Sequence, residues 1–478
     1  MLCIWYTNYR KSVNPLRILN QKPLSSEEQY IKMTATPIPK LIKSMSVPTV
    51  VSMVVMSVYN MADTFFVSQL GTSAGAAVGI VFPIMTIIQA LGFTVAIGAS
   101  SMISRMLGEK NNKAADMYAS TAFFSALILG IFVAAIGLLF LNPLMKLLGA
   151  TPTILPYARD YAQYIFIGAP FMCCSYVMNN ALRAEGKASL SMIGLSAGGI
   201  INIVLDPIFI FLFGLGTAGA AIATIISQFM SFLILLSFYL RKRALVMISI
   251  KEISRSLAVF SKIITVGLPS FFRQGLSTIA FILLNVSASA YGDAAIAAIT
   301  INNRIFMLIL SVVLGIGQGF MPVCGYNYGA KIYSRVRESF WYSVKLATLI
   351  VAALSVIGLV LAPQVIAVFR DDPEVIKIGS FIMRLQCAIM ICHPFQMVAT
   401  MLFQATGKSL SGTLLSMARQ GIYFIPLIYI LPSIFGLRGV QITQTCADIL
   451  CFLTSAPLVY LFFRRLKQEE AELQTRVS

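Results

Sequence analysis

The chain has 478 residues, of which 58% are hydrophobic and only 11% charged, and its mean hydropathy is +0.83. Soluble domains carry about 25% charged residues, so this chain has too little charge to cover a water-facing surface. It reads as a membrane protein with no stretch left for a soluble catalytic or nucleotide-binding domain. The net charge of +18 does not imply a nucleic-acid partner, because the basic residues sit in short connectors between apolar spans. That is the positive-inside pattern.

In chain order, residues 1–40 are expected to form an N-terminal cytoplasmic tail. Met1 to Tyr30 has no uninterrupted apolar core of the kind a signal peptide needs, and residues 1–32 read as a disordered tail or an over-called start. Twelve spans follow, at about 45–70, 78–104, 117–141, 158–182, 188–213, 217–240, 262–290, 295–323, 338–362, 376–404, 410–433 and 438–463, each long enough to cross about 30 Å of hydrocarbon. Connectors after even-numbered spans are basic, among them Arg105, Lys110 and Lys113, and later Arg241, Lys242 and Arg243. Connectors after odd-numbered spans are poor in basic residues, so both termini are expected to face the cytoplasm, the protein spanning the inner (plasma) membrane. The expected organisation is a six-helix lobe over 41–243, a cytoplasmic linker over 244–261, a second six-helix lobe over 262–466 and a tail over 467–478.

An internal repeat organises the chain. Gly108-Glu109-Lys110 returns as Gly329-Ala330-Lys331, an offset of 329 − 108 = 221. At the same offset Pro48 returns as Pro269, Gly71 as Gly292, Gly98 as Gly319, Pro152 as Pro373 and Gly186-Lys187 as Gly407-Lys408, while Gly216 and Gly219 return as Gly436 and Gly439 at 220. Glycine and proline govern backbone geometry, so the halves are expected to share one fold. Six spans per half is an even number. The repeats are therefore parallel, related by an axis along the membrane normal, with substrate expected at their interface.

Gly407-Lys408-Ser409 resembles the end of a phosphate-binding loop, but the earlier glycine would fall at Leu402. Gly315-Ile316-Gly317-Gln318-Gly319 lies within a span with no preceding strand and reads as close helix packing. With no ATP site and no cofactor, transport would run on an ion gradient. The eight cysteines form no CxxC pair, and the single histidine, His393, reads as a helix-packing or hydrogen-bonding residue rather than a catalytic one. The chain is not expected to be an enzyme.

Carboxylates within spans are informative, since a charge at the bilayer centre costs at least about 2.5–3.5 kcal/mol. Three occur: Asp63, Asp206 and Asp448. Tyr59 and Asp63 are four apart, as are Asn202 and Asp206, so each pair shares a helix face. Pro207 is expected to kink its helix beside Asp206 and free a carbonyl. In the second half Asp63 maps to Leu284 (offset 221), Asp206 to Ile425 and Asn202 to Gly421 (offset 219, from Pro207 and Pro426). Acids lost from one copy while the fold signals persist favour a functional site in the first half. Two close carboxylates in a low-dielectric pocket do not both ionise readily and would take up protons as a unit; with Asn202 and a hydroxyl they would equally hold Na⁺. Asp448 is read as either a packing hydrogen bond or a second-half substrate contact. Arg273, Gln274, Arg304 and Gln318 are further polar candidates for a substrate cavity, to which some of the 23 methionines and 32 phenylalanines would add apolar lining.

Tyr59-Asn60-Met61-Ala62-Asp63-Thr64-Phe65-Phe66-Val67-Ser68-Gln69-Leu70-Gly71 resembles the first-helix motif of the multidrug and toxic compound extrusion (MATE) transporters. Ile103-Ser104-Arg105-Met106-Leu107-Gly108, Leu205-Asp206-Pro207-Ile208-Phe209 and Gln404-Ala405-Thr406-Gly407-Lys408 do so too, and the resemblance covers about 41–465, nearest to the DinF-like and MepA-like branch. It implies two six-helix lobes in a V, alternately open to each side, with Tyr59, Asp63, Asn202, Asp206 and Thr224 as a first-lobe polar network binding the coupling ion. An exporter of organic cations or drugs is implied, exchanging them for H⁺ or Na⁺, working in lipid as a monomer. A flippase for a lipid-linked precursor is the alternative.

Overall fold

The computed structural model describes residues 24–477. Among them there is no strand, and twelve helices are long and apolar enough to cross a membrane. The first half holds α1 (Ser26–Ala35), α2 (Ile38–Ser68), α3 (Thr72–Gly108), α4 (Asn112–Leu139), the short α5 (Leu141–Leu147), α6 (Leu155–Ala184), α7 (Ala188–Pro207) and α8 (Gly216–Leu240). The second holds α9 (Leu257–Ser289), α10 (Asp293–Gly329), α11 (Tyr333–Phe369), α12 (Pro373–Ile389), α13 (His393–Ala405), α14 (Ser409–Met417), α15 (Phe424–Phe435) and α16 (Leu437–Val477). Three spans are interrupted. A π turn, Ile208–Leu212, follows α7; a 3₁₀ turn, Met390–Cys392, joins α12 to α13; and a π turn, Ala418–Tyr423, joins α14 to α15.

The repeat read from the sequence is present as geometry. Gly71 and Gly292 turn the chain at φ 112° and 90°, Gly186 and Gly407 at 82° and 74°, and Lys110 and Lys331 at 60° and 59°. A left-handed lysine is uncommon, so its return at an offset of 221 marks one turn built twice. The halves also touch through reciprocal contacts. A Cβ on Gly108 would strike the Tyr326 carbonyl, and one on Gly329 would strike that of Arg105; 105 + 221 is 326 and 108 + 221 is 329. Gly98 likewise abuts Gly267, and Gly319 abuts Ser46. A two-fold axis between the halves requires this pairing.

Hydrogen bonds across the seam run from Ser46 to the Ile316 carbonyl, from Ser101 to the Gln404 carbonyl, between the Ser57 and Ser311 hydroxyls, and from Arg183 to Gln318. On α2 these contacts reach Ser57, and on α3 they extend from Gly108 back to Gln89. The halves are thus joined towards the end that bears the termini, and the stretch of α2 holding Asp63 lies beyond the seam.

The N-terminal segment departs from the expected tail. Residues 26–35 form α1, started by a capping box in which Ser25 and Glu28 exchange hydrogen bonds. Its face bearing Gln29 and Met33 is buried, and α1 bridges the halves: Gln29 Nε2 donates to the Glu185 carbonyl, while Asn327 donates to the Met33 carbonyl. Residues 1–23 lie outside the described residues. At the other end α16 runs on past 467 as continuous helix. Chain 241–256 is held against the first half by Glu185, whose carboxylate accepts from the Leu245 and Val246 N–H groups, and by Asp116, which accepts from Met247.

Candidate functional site

Asp63 and Tyr59 lie one turn apart on α2, and both are buried. Gly199 of α7 lets α2 approach, since a Cβ there would meet Val55 at 2.9 Å and the Tyr59 ring at 3.2 Å. Asn202 and Asp206 sit one turn apart on the same α7, at 1% and 0% exposure. The expected kink at Pro207 takes the form of an ended α-helix and a π turn over Ile208–Leu212. Proline has no N–H to offer the Ile203 carbonyl, and the wider turn follows directly after the acid.

Asn202 Nδ2 donates to Asp206 Oδ1 at 3.0 Å and lies 3.4 Å from Thr224 Oγ1 on α8. Four of the five expected residues, Tyr59, Asn202, Asp206 and Thr224, thus meet through hydrogen bonds or helix packing around α7, and Asp63 lies one turn beyond Tyr59 on α2. No hydrogen bond among the described residues links the two carboxylates. Asp63 instead accepts at Oδ2 from the Tyr161 hydroxyl of α6, at 3.3 Å. Tyr161 is fully buried, and the sequence reading missed it. A signal was available: at 161 + 221 the second half has Ile382, so this tyrosine is lost from the second copy just as Asp63 gives way to Leu284.

The electrostatics follow from what is absent near these acids. The ion pairs among the described residues are Lys110–Glu27, Lys187–Glu185, Arg370–Asp372 and Arg419–Asp448, so neither Asp63 nor Asp206 has a basic partner. Asp63 Oδ1, Asp206 Oδ2 and Asn202 Oδ1 are buried with no hydrogen-bond partner. A buried carboxylate without a counter-charge is costly. Such a set is completed chemically by protons on the carboxylates or by a hard cation, which prefers oxygen ligands.

The substrate-cavity candidates do not gather in one place. Gln318 lies in the seam, accepting from Arg183. Gln274 Nε2 reaches Gln89 Oε1 across the halves at 3.4 Å, its neighbour Arg273 has a buried Nη1 without a partner, and Arg304 is exposed. Asp448 belongs to a separate cluster inside the second half, where Arg419 Nε donates to its Oδ1 at 2.7 Å and Gln444 Nε2 donates to the same oxygen at 3.0 Å. Arg419 was not singled out by the sequence reading. It stands 29 residues from Asp448, a separation at which sequence carries no sign of contact.

The family model described as MatE matches residues 48–208 and 269–430, once in each half. The multidrug export protein MepA of Staphylococcus haemolyticus (strain JCSC1435) is 28% identical over 448 residues, which cover 94% of this chain and 99% of that protein. MepA of Staphylococcus saprophyticus is 27% identical over the same span. A crystal structure of MATE in complex with MaL6 superimposes with a TM-score of 0.88 at 30% identity, covering 92% of this chain and 99% of that one. A multidrug resistance MATE family transporter of the MOP superfamily in its outward-facing conformation superimposes with a TM-score of 0.88 at 30% identity, covering 94% of this chain.

Proposed function

This chain belongs to the MatE family, and from that premise we propose that it is a secondary multidrug exporter exchanging organic, mostly cationic compounds for H⁺ or Na⁺. The observation that carries this reading is the buried polar set of Asn202, Asp206 and Thr224 with Asp63 on the adjoining α2, which holds three buried unpartnered oxygens and no basic residue paired to either acid. In this reading the coupling ion is taken up at Asp63 and Asp206. Its arrival changes the packing of α2 against α7, and the halves rock about their common axis.

The basic connectors assign the terminus-bearing, closed end to the cytoplasm. In this reading opening of the opposite end lets the ion enter and cargo leave. The protein works as a monomer in the plasma membrane, with both termini cytoplasmic. A second reading, a flippase for a lipid-linked precursor, is favoured by Arg273, whose buried, unpartnered Nη1 would suit a phosphate head group.

Ethidium movement by the purified protein in liposomes, under an imposed proton gradient and separately under a Na⁺ gradient, tests the exporter. Transport under one gradient, reduced at least about a hundredfold in Asp63→Asn and Asp206→Asn, is the expected outcome and names the ion. Undiminished transport by Asp206→Asn removes that residue from the mechanism. No response to either gradient, with folded protein, turns the reading to the lipid-like cargo.

A further inference from the structure

The second half contains a partly open cavity of about 90 Å³ that the ion-coupling reading does not use. It occupies the position that the first-half acid site has in its own lobe. Leu284 and Ile382 line it, and these are the repeat counterparts of Asp63 and Tyr161 (63 + 221 and 161 + 221). Gln444 and Asp448 line it too, standing for Thr224 and Gln228 at the offset of 220 that relates Gly216 to Gly436. The repeat has kept the chamber and replaced its chemistry.

Two helix interruptions wall this chamber. Arg419 and Gln420 lie in the π turn Ala418–Tyr423, and His393 begins α13 directly after the 3₁₀ turn Met390–Cys392. The π turn is not a copy of the one beside Asp206, because 418 − 208 is 210 and not 219–221. It belongs to the second lobe alone. Single π turns inside α-helices are frequent at functional sites.

The lining carries more acceptors than it satisfies. His393 is 3% exposed and neither ring nitrogen has a hydrogen-bond partner. Asn302 Oδ1, Gln386 Oε1 and Gln420 Oε1 are buried and unpartnered as well. Asp448 is held asymmetrically: Oδ1 takes Arg419 Nε at 2.7 Å and Gln444 at 3.0 Å, while Oδ2 has only Arg419 Nη2 at 3.4 Å. Buried polar groups in folded proteins are satisfied as a rule. A ligand that satisfies this set brings several N–H donors at once, and a positive charge strengthens each bond to a carbonyl or to Asp448 Oδ2, against the repulsion of the Arg419 guanidinium already paired with Asp448.

We propose that this chamber is a second-lobe binding site for the planar, donor-rich cationic head group of a substrate, an amidinium or guanidinium, received by the carbonyls of Asn302, Gln386 and Gln420 and by Asp448 Oδ2. The proposal rests on the efflux reading and names the part of the cargo that this lobe recognises. It separates two classes of cation. Those with N–H donors engage the chamber, whereas quaternary cations such as phosphonium ions have nothing to give its acceptors.

The test uses the full chain in detergent and the fluorescent bis-amidine 4′,6-diamidino-2-phenylindole. On the unmutated protein, benzamidine displaces the dye, while benzyltrimethylammonium, of like charge and similar shape but without donors, does not; equal displacement by both overturns the proposal. Gln386→Leu and Gln420→Leu localise the site. In each, affinity for the bis-amidine falls at least about tenfold more than affinity for tetraphenylphosphonium, as expected when hydrogen bonds to a charged group are lost. Equal weakening of both cations, or bis-amidine affinity within about threefold of the unmutated chain, sinks the assignment. Binding here is read without any gradient. Failure of gradient-driven ethidium transport would defeat the exporter reading and leave this result standing by itself.

Discussion

At Asp206 the backbone and the side chain point to the same chemistry. The helix ends one residue later at Pro207, and Asn202 holds one carboxylate oxygen while the other has no partner. Thr224 adds a hydroxyl 3.4 Å from the Asn202 amide. Thr224→Val removes one oxygen from the set with little change of shape. The ion concentration at half-maximal ethidium transport is expected to rise about tenfold, and Thr224→Ser to restore it; an unchanged value would place Thr224 outside the set.

Glu185 is a different kind of acid, lying outside the spans in the turn between α6 and α7. Burial pushes its carboxyl up from the ordinary 4.5 to about 7, against the opposing pull of Lys187 and the Leu245 and Val246 N–H groups. A folded-state value above the unfolded one means that the folded chain binds the proton more tightly. That contribution to stability is complete below about 4.5 and is lost as pH rises through about 7. The melting temperature of the unmutated chain, relative to Glu185→Gln, should therefore fall across this interval, and parallel curves would contradict the assignment.

Among the elements, α1 and the interrupted helices were the least legible in the sequence. The stretch before Pro37 is short and polar, and its capping box, Ser25 to Glu28, is only four residues in a charged setting. What makes α1 a structural part is burial of Met33 and Gln29 between the halves, a tertiary fact. Met33→Asp places a carboxylate at a site of 0% exposure and is expected to lower stability by about 1–3 kcal/mol. Trypsin cleavage after Lys32 and Lys40 should accelerate in step; cleavage at the unmutated rate would show that α1 is not held by this contact. The π turns were equally hidden. A proline stands directly before the first; none lies within Ala418–Tyr423, though Pro426 follows it and offers no N–H to the Ile422 carbonyl.

For the whole molecule, the reciprocal glycine contacts define how far the halves can close. Gly108 on Tyr326 and Gly329 on Arg105 leave no room for a Cβ at either place, so this end seals backbone to backbone. Between it and the acid site stands the Ser57–Ser311 contact, the two hydroxyls 2.5 Å apart. If transport requires the seam to open, the double variant Ser57→Cys, Ser311→Cys should cross-link under mild oxidant and lose ethidium transport, recovering it on reduction. Full transport in cross-linked protein would show that the seam stays shut throughout the cycle.

Twelve spans, their alternating basic connectors and the 221-residue repeat were all readable from the chain. Each depends on a property that acts locally: hydropathy over about 20 residues, or a glycine or proline that dictates its own backbone angles. The loss of both first-half acids from the second copy was readable for the same reason, and it marked Asp63 and Asp206 as candidates from the chain alone. Partnership was not readable. The Tyr161 bond to Asp63 spans 98 residues, that of Arg419 to Asp448 spans 29, and that of Gln29 to Glu185 spans 156. Such pairs form only when helices far apart in sequence pack at particular rotations about their axes, and a single sequence records the side chains but not those rotations.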